Sequence, residues 1–359
     1  MSSTPALKNR VKTLRLARGW SQDELARRSS LSRSGVSAIE IDRLAPSAAA
    51  AMALARAFGC SFEEVFFLDV GGDSAVLWAA TPEKVPCRYW QAAVGGRRVL
   101  YPSQTLGDFI APHDGIFDGA KLKETRPGEG AESLAATLVV ASCDPAVGLL
   151  ASELARVRQI RLLALPMSSS AALEALGRGV VHAAGVHWAG KGDLGNEAQV
   201  RSRLGAGYQL LRAAQWQEGL ALAPRHKVST VRGALDANLR WVGRESGSGA
   251  RQCLDEILHG RSSPRHEARS HRGVAEAIRC GYADAGVCVQ LVSEQAGLDF
   301  VRVRQEPYDL CFSAADADDF RIQALIEIVQ SATYRQLLAE LPGYSSSGAG
   351  ELRATEKTK

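Results

Sequence analysis

Two stretches about a hundred residues apart repeat one another. Glu174-Ala175-Leu176-Gly177, running on to Ala184-Gly185-Val186, returns with one gap as Glu276-Ala277-Ile278, running on to Ala285-Gly286-Val287. Each copy reads as a helix, a glycine stop and a strand. Each also follows a serine-rich strand-to-helix turn: Ser168, Ser169 and Ser170 before the first, and Ser246, Gly247, Ser248 and Gly249 before the second. Internal repetition of this kind predicts two similar lobes with a cleft between them. The first backbone N–H groups of a helix have no partner within it, and the helix dipole is positive there, so such turns are seats for anions. Ser246 and Ser248 add hydroxyls, and Arg251 adds a fixed positive charge in the first turn. The plain alternative is an ordinary Gly/Ser loop.

Around the repeat, strands and helices alternate. Strands are expected at 138–142, 160–165 and 180–186, and helices at 145–155 and 171–176. This alternation predicts an α/β body with largely parallel sheets. Lobe 1 is expected over 132–225 and 306–345, and lobe 2 over 226–305. The crossings fall near 223–229 and 306–310. His187 and Trp188 end a strand where such clefts open, so His187 is a further candidate donor. Residues 346–359, rich in Ser, Gly and then charge, read as a disordered tail.

The N-terminal stretch differs in charge. Up to residue 56 there are ten Lys/Arg against four acids, whereas the whole chain carries only +4. A basic module on a near-neutral body points to nucleic acid at one end. Five short helices are expected over 1–68, with Ser21 and Ser32 as N-caps and a tight turn between the second and third, a helix-turn-helix plan. The third helix presents Ser32, Arg33, Ser34 and Ser37. Arginine can fork onto guanine, and small hydroxyls allow close approach to base edges. Gln22 opens the second helix, and Arg43 is placed for a phosphate.

The run Leu14-Arg15-Leu16-Ala17-Arg18-Gly19-Trp20-Ser21-Gln22, continued by Leu31-Ser32-Arg33-Ser34-Gly35-Val36-Ser37, resembles the XRE (phage repressor/Cro) family. The resemblance implies double-stranded operator DNA as partner, a homodimer, and a role for Gln22 at backbone or base. Ser30 departs from it, standing where that family usually has glycine. Residues 69–131 are punctuated by Gly and Pro and read as a small β-rich linker module, with a hairpin turning at Gly95-Gly96.

Seven scattered cysteines include no Cys-x-x-Cys pair, so no metal site is expected. Cys143, Cys280, Cys288 and Cys311 sit among apolar residues and read as buried thiols. No leader or membrane span is evident, which makes the cytoplasm the expected compartment. Neither a Gly-x-Ser-x-Gly elbow nor a phosphate loop is present, so no enzyme is expected. Ser142-Cys143-Asp144-Pro145-Ala146, Ser168-Ser169-Ser170, His187 and the 244–251 stretch resemble the PBP-like (type II periplasmic-binding-protein) substrate-binding domain found behind XRE modules. That domain also accompanies molybdenum-cofactor proteins. The resemblance implies a small anionic effector, molybdate or tungstate first, with no cofactor. The expected architecture is therefore multidomain: an all-α five-helix HTH domain, a β-containing linker, and an α/β two-lobed PBP-like domain.

Overall fold

Four serines set the frame of the N-terminal module. Ser21, Ser32, Ser47 and Ser61 each accept a hydrogen bond from the backbone N–H three residues on, satisfying one orphan donor per helix. In the computed structural model, which describes residues 7–68, 76–103, 112–126, 134–188 and 194–355, they cap four of the five helices. These are α1 (Val11–Ala17), α2 (Gln22–Ser29), α3 (Arg33–Glu40), α4 (Ala48–Phe58) and α5 (Phe62–Val65). Strand β1 (Leu7–Asn9) pairs antiparallel with β2 (Phe66–Leu68) and closes the module. Val11, Leu25, Val36, Leu54 and Val65 are fully buried in its core.

The α2–α3 turn keeps its form despite the missing glycine. Ser30 takes the left-handed conformation at φ 55° and ψ 31°. That conformation costs a non-glycine residue about 1 kcal/mol. Ser30→Gly is therefore expected to raise stability by about that amount in urea unfolding, with operator binding unchanged. A variant less stable than the parent would mean that the serine contributes something beyond its strain.

The second module is a five-stranded sheet. Its strands are β3 (Leu77–Trp78), β4 (Cys87–Val94), β5 (Arg97–Pro102), β6 (Gly115–Phe117) and β7 (Leu122–Glu124), in the order β3-β5-β4-β6-β7. The hairpin at Gly95-Gly96 is present, with φ of 55° and 72°, as a tight two-residue turn requires. Asp114 accepts from the backbone N–H of Gln91 at 2.8 Å. The start of the linker, 69–75, lies outside the described residues.

The chain divides into two compact units. One is residues 1–138 with two short later segments, and the other holds most of the remainder. The second contains the α/β domain. Lobe 1 has β8 (Thr137–Ser142), β9 (Arg161–Pro166) and β10 (Ala183–Val186). Between them run helices Val147–Arg158 and Ser169–Gly177. After β11 (Tyr208–Leu222), lobe 2 repeats the plan. It has β12 (Trp241–Arg244), β13 (Glu267–Ala268) and β14 (Ala285–Val289), with helices Gly249–Leu258 and His271–Arg279 between them. Strand β15 (Asp299–Ser313) follows. The strand order is β13-β12-β14-β11-β15-β10-β8-β9, so each lobe places its three strands in the same order outward from a shared pair.

That shared pair is antiparallel and joins β14 and β10 antiparallel as well, whereas β10 with β8 and β12 with β13 and β14 are parallel. The expected parallel sheets thus hold only for the two ends. β11 pairs with β14 through 218–222, and β15 pairs with β10 through 309–311. The outward crossing is therefore made inside β11, before residue 218, and not at the expected 223–229. The expected disordered tail is also corrected. β16 (Tyr344–Ser345) and β17 (Leu352–Ala354) pair with β11, and Arg353 reaches the buried Asp309 at 2.8 Å. Open backbone groups along β11, and a buried carboxylate with room for a further donor beside Arg212 and Asn196, outweigh the polar composition that reads as disorder. Residues 356–359 lie outside the described residues.

Candidate functional site

In the helix-turn-helix module, Arg33, Ser34 and Arg43 are exposed, and Ser37 is half-buried on α3. Arg33 has Asp23 at 3.5 Å, and both side chains are about two-thirds exposed. Ser32 caps α3, and its hydroxyl lies 3.2 Å from that of Ser34. Gln22 is tied inward. Its Nε2 donates to Glu40 at 2.8 Å, and Glu40 also holds Arg15. Half of its amide is thus committed within the module.

In the α/β domain the two expected serine seats meet each other. The N–H and hydroxyl of Ser170 donate to the carbonyl of Gly247 at 3.3 and 2.9 Å. Ser168 caps its helix, and Ser169 exchanges hydrogen bonds with the backbone of His187. Ser248 caps the helix Gly249–Leu258 and donates to the carbonyl of Glu245. Arg251 is held by Asp255, Glu267 and the carbonyl of Arg244. Gly247 and Gly249 are there for clearance. A Cβ at 247 would lie 2.7 Å from Ser170 Oγ, and one at 249 would lie 2.6 Å from the His187 carbonyl. Ser246 is exposed, and with Trp188, Arg251, Asp255 and Glu256 it lines an open pocket of about 430 Å³. The expected seats are therefore a latch between the lobes, with most of their donors already taken.

The repeat explains the mismatch. Strand by strand, the turn before His271 corresponds to the turn before Ser169. The turn at 245–248 corresponds instead to the one at 143–146. Four strand-to-helix turns correspond in pairs, and the serine pattern marks only one of each pair. The other two carry Cys143 and His271.

A buried polar group lies with these residues. His187 Nδ1 is 2.7 Å from Glu306 Oε2. Arg304 bridges Glu306 at 2.7 Å and Glu218 at 3.0 Å. The Trp216 ring stacks on Tyr308 at 4.6 Å and stands 4.9 Å from His187 and 6.1 Å from His271. Burial disfavours charge on His187, but Cys143 and Glu306 outweigh it and raise its pKa well above the ordinary value. Burial, with Arg244 and His187 adding to it, pushes His271 well below its ordinary value. Burial beside Glu306 lifts Glu218 to about 8.

Several buried polar atoms here have no partner among the described residues: the donors Arg244 Nη1 and Trp216 Nε1, and both ring nitrogens of His271, one a donor and one an acceptor in the neutral ring, all on side chains at most 2 % exposed. Cys143, His187 and His271 also bring their ligating atoms within 4.8 Å of one another. The sequence signals for this group were charged and polar residues inside apolar runs, such as Glu218 and Arg244.

Comparison with known proteins identifies the two main domains. The family described as "PBP superfamily domain" matches residues 151–330, and "Helix-turn-helix" matches residues 11–65. The chain belongs to the PBP-like family, with an XRE-type helix-turn-helix module. This PBP-like protein is 29% identical over 123 residues to uncharacterized protein YvgK of Bacillus subtilis (strain 168), covering 32% of this chain and 39% of YvgK. It thus spans about two fifths of the length of that relative. It is 38% identical over 63 residues to the uncharacterized HTH-type transcriptional regulator YgzD of the same strain, covering 18% of this chain and 96% of YgzD. A solved structure of the tungstate ABC transporter from Geobacter sulfurreducens is similar at 12% identity, covering 57% of this chain and 97% of that one, with a TM-score of 0.45. No helix among the described residues of the PBP-like protein is long and apolar enough to cross a membrane.

Proposed function

We propose that this protein is a one-component transcription regulator of the cytoplasm. It works as a homodimer on double-stranded operator DNA, through α3, and it catalyses no reaction. Its effector is a small anion held between the lobes, and the family resemblance puts molybdate and tungstate first. The observation that carries this reading is the buried set of unpartnered donors, Arg244 Nη1, Trp216 Nε1 and His271. A buried donor without an acceptor costs about 1–3 kcal/mol, more when charged, so such a set is matched to an acceptor-rich ligand. The serine turns act in closure: the hydrogen bonds of Ser170 to Gly247 join lobe 1 to lobe 2. A ligand that favours the closed arrangement biases the DNA-binding module by its difference in affinity for the two arrangements, typically about 1–3 kcal/mol.

Calorimetry tests this with molybdate, tungstate, sulfate, phosphate and small carboxylates on chelator-treated protein. One anion is expected to give saturable heat. Arg244→Ala is expected to weaken it at least tenfold, a loss on the order of 1.5–3 kcal/mol for one charged hydrogen bond. Arg251→Ala, on the rim, is expected to have the smaller effect. Absence of heat with every anion, or a larger loss at Arg251 than at Arg244, would overturn this assignment.

A further inference from the structure

We infer that Cys143, His187 and His271 form a site for one borderline or soft transition-metal ion, Zn²⁺ or Cu⁺, that joins lobe 1 to lobe 2. The inference deepens the reading of the cleft as a ligand site and rests on that reading for the ion's place in the switch. Three observations carry it.

The first is gathering. Residues 143, 187 and 271 are far apart in sequence and come from three separate turns, yet one thiol and two imidazoles lie within 4.8 Å of one another. Ligands of a tetrahedral ion, bound at about 2.0–2.3 Å, stand about 3.3–3.8 Å apart. Closing the remaining gap takes about an ångström of side-chain movement.

The second is preparation. Glu306 holds His187 Nδ1 at 2.7 Å, which turns Nε2 into the free ligand atom. A carboxylate behind a metal-binding histidine is the usual outer partner, fixing the ring's tautomer and orientation. His271 is 2 % exposed, and neither of its nitrogens has a partner among the described residues. An imidazole buried in that state lacks an interaction worth several times a surface hydrogen bond.

The third is charge. Arg244 stands near, but its Nε and Nη2 are matched by Glu245 at 2.8 and 3.0 Å. The carboxylates of Glu218 and Glu306 share the single guanidinium of Arg304. Each nearby guanidinium is thus already matched by a carboxylate, Arg244 by Glu245 and Arg304 by Glu306, and neither opposes a cation as an uncompensated charge.

One thiolate and two imidazoles select Zn²⁺ or Cu⁺ over the hard cations, which prefer oxygen. Three protein ligands leave one coordination position open, with Arg244 Nη1 and Trp216 Nε1 nearby to receive the anion that fills it. Because Cys143 and His187 belong to lobe 1 and His271 to lobe 2, the ion favours the closed arrangement.

The test uses the full chain, stripped with a chelator, reduced and free of added anions. Co²⁺ is titrated as a spectroscopic probe, and Zn²⁺ is titrated against a chromophoric chelator. One equivalent per chain is expected, with a thiolate-to-cobalt charge-transfer band. Cys143→Ser should abolish the band and weaken Zn²⁺ at least a hundredfold. His271→Ala should weaken Zn²⁺ at least tenfold, and its fold is checked by unchanged operator binding without effector. Glu306→Gln should weaken it about tenfold. Cys280→Ser should change nothing, because that thiol, expected to be buried among apolar neighbours, is exposed (and Cys143 is only half-buried). No saturable binding, or binding indifferent to both Cys143→Ser and His271→Ala, overturns the inference. Anion heat on the stripped protein together with no saturable Zn²⁺ or Co²⁺ binding would leave the anion reading standing while the metal falls. Metal binding with no anion heat would do the reverse.

Discussion

Gly249→Ala is expected to cost the protein most of its effector response while leaving both lobes folded. The added Cβ would stand 2.6 Å from the His187 carbonyl oxygen and 2.6 Å from its Nδ1. A carbonyl on the backbone cannot swing aside as a side-chain end can, so the helix Gly249–Leu258 must back away from lobe 1. Overpacking of this kind costs about 1–3 kcal/mol. That cost falls on the closed arrangement alone, because the contact is made across the cleft. The closed population, and with it the apparent effector affinity, should drop about 10- to 100-fold. Gly148→Ala is the matched control. Gly148 lies in the helix Val147–Arg158 with nothing within 4 Å of its Cβ position, so alanine there should be neutral or slightly stabilising. Calorimetry gives the affinities, and small-angle scattering reports the opening. Unchanged affinity in Gly249→Ala would mean that closure at this latch is not coupled to the ligand.

The second large effect is expected at Arg33. Its side chain is 67% exposed at the start of α3, and its nearest charge, Asp23, is 3.5 Å away and equally solvated. An exposed pair of that kind contributes little to stability, so Arg33→Ala should leave the module folded. A guanidinium forked onto guanine contributes about 1–3 kcal/mol of discrimination. Operator affinity should therefore fall about 10- to 100-fold in fluorescence anisotropy at fixed salt, with the calorimetric effector titration unchanged. Gln22→Ala should behave differently. Removing the amide that donates to Glu40 disturbs the Arg15–Glu40 pair, and the loss should appear partly as lowered stability. Equal loss of operator and effector binding in Arg33→Ala would signal general damage.

The helical module was legible because its information is local. Each capping serine sits directly before its helix, and the apolar positions follow within a turn or two. The lobes were legible as a repeat for the same reason, helix followed by glycine followed by strand. What escaped was longer in range. β11 and β15 run fifteen residues each and lie centrally in the sheet, so β11 shows no clean apolar–polar alternation to mark it. Arg212 and Glu218, buried inside its apolar run, were the available clue. The tail at 344–355 has few apolar residues, and it is ordered by what β11 and Asp309 offer it. Cys143 and His271 do not stand out because the serine turn at 246–249 was paired with the second copy of the repeat, although it lies one helix–strand unit before that copy. Their meeting depends on chain segments more than a hundred residues apart.

The discontinuity of lobe 1 bears on how the chain is made. Strands β8, β9 and β10 emerge from the ribosome before any part of lobe 2, while β15, which β10 pairs with, and β17 emerge after it. Lobe 2, contained between the two long strands, can settle as soon as residue 303 or so has cleared the exit. The earlier strands must wait with an open edge. At about 5–20 residues per second, the interval between β10 and β15 is about 5–25 seconds. During that time the apolar edge of β10, Ala183–Val186, depends on chaperones or on speed to escape wrong partners.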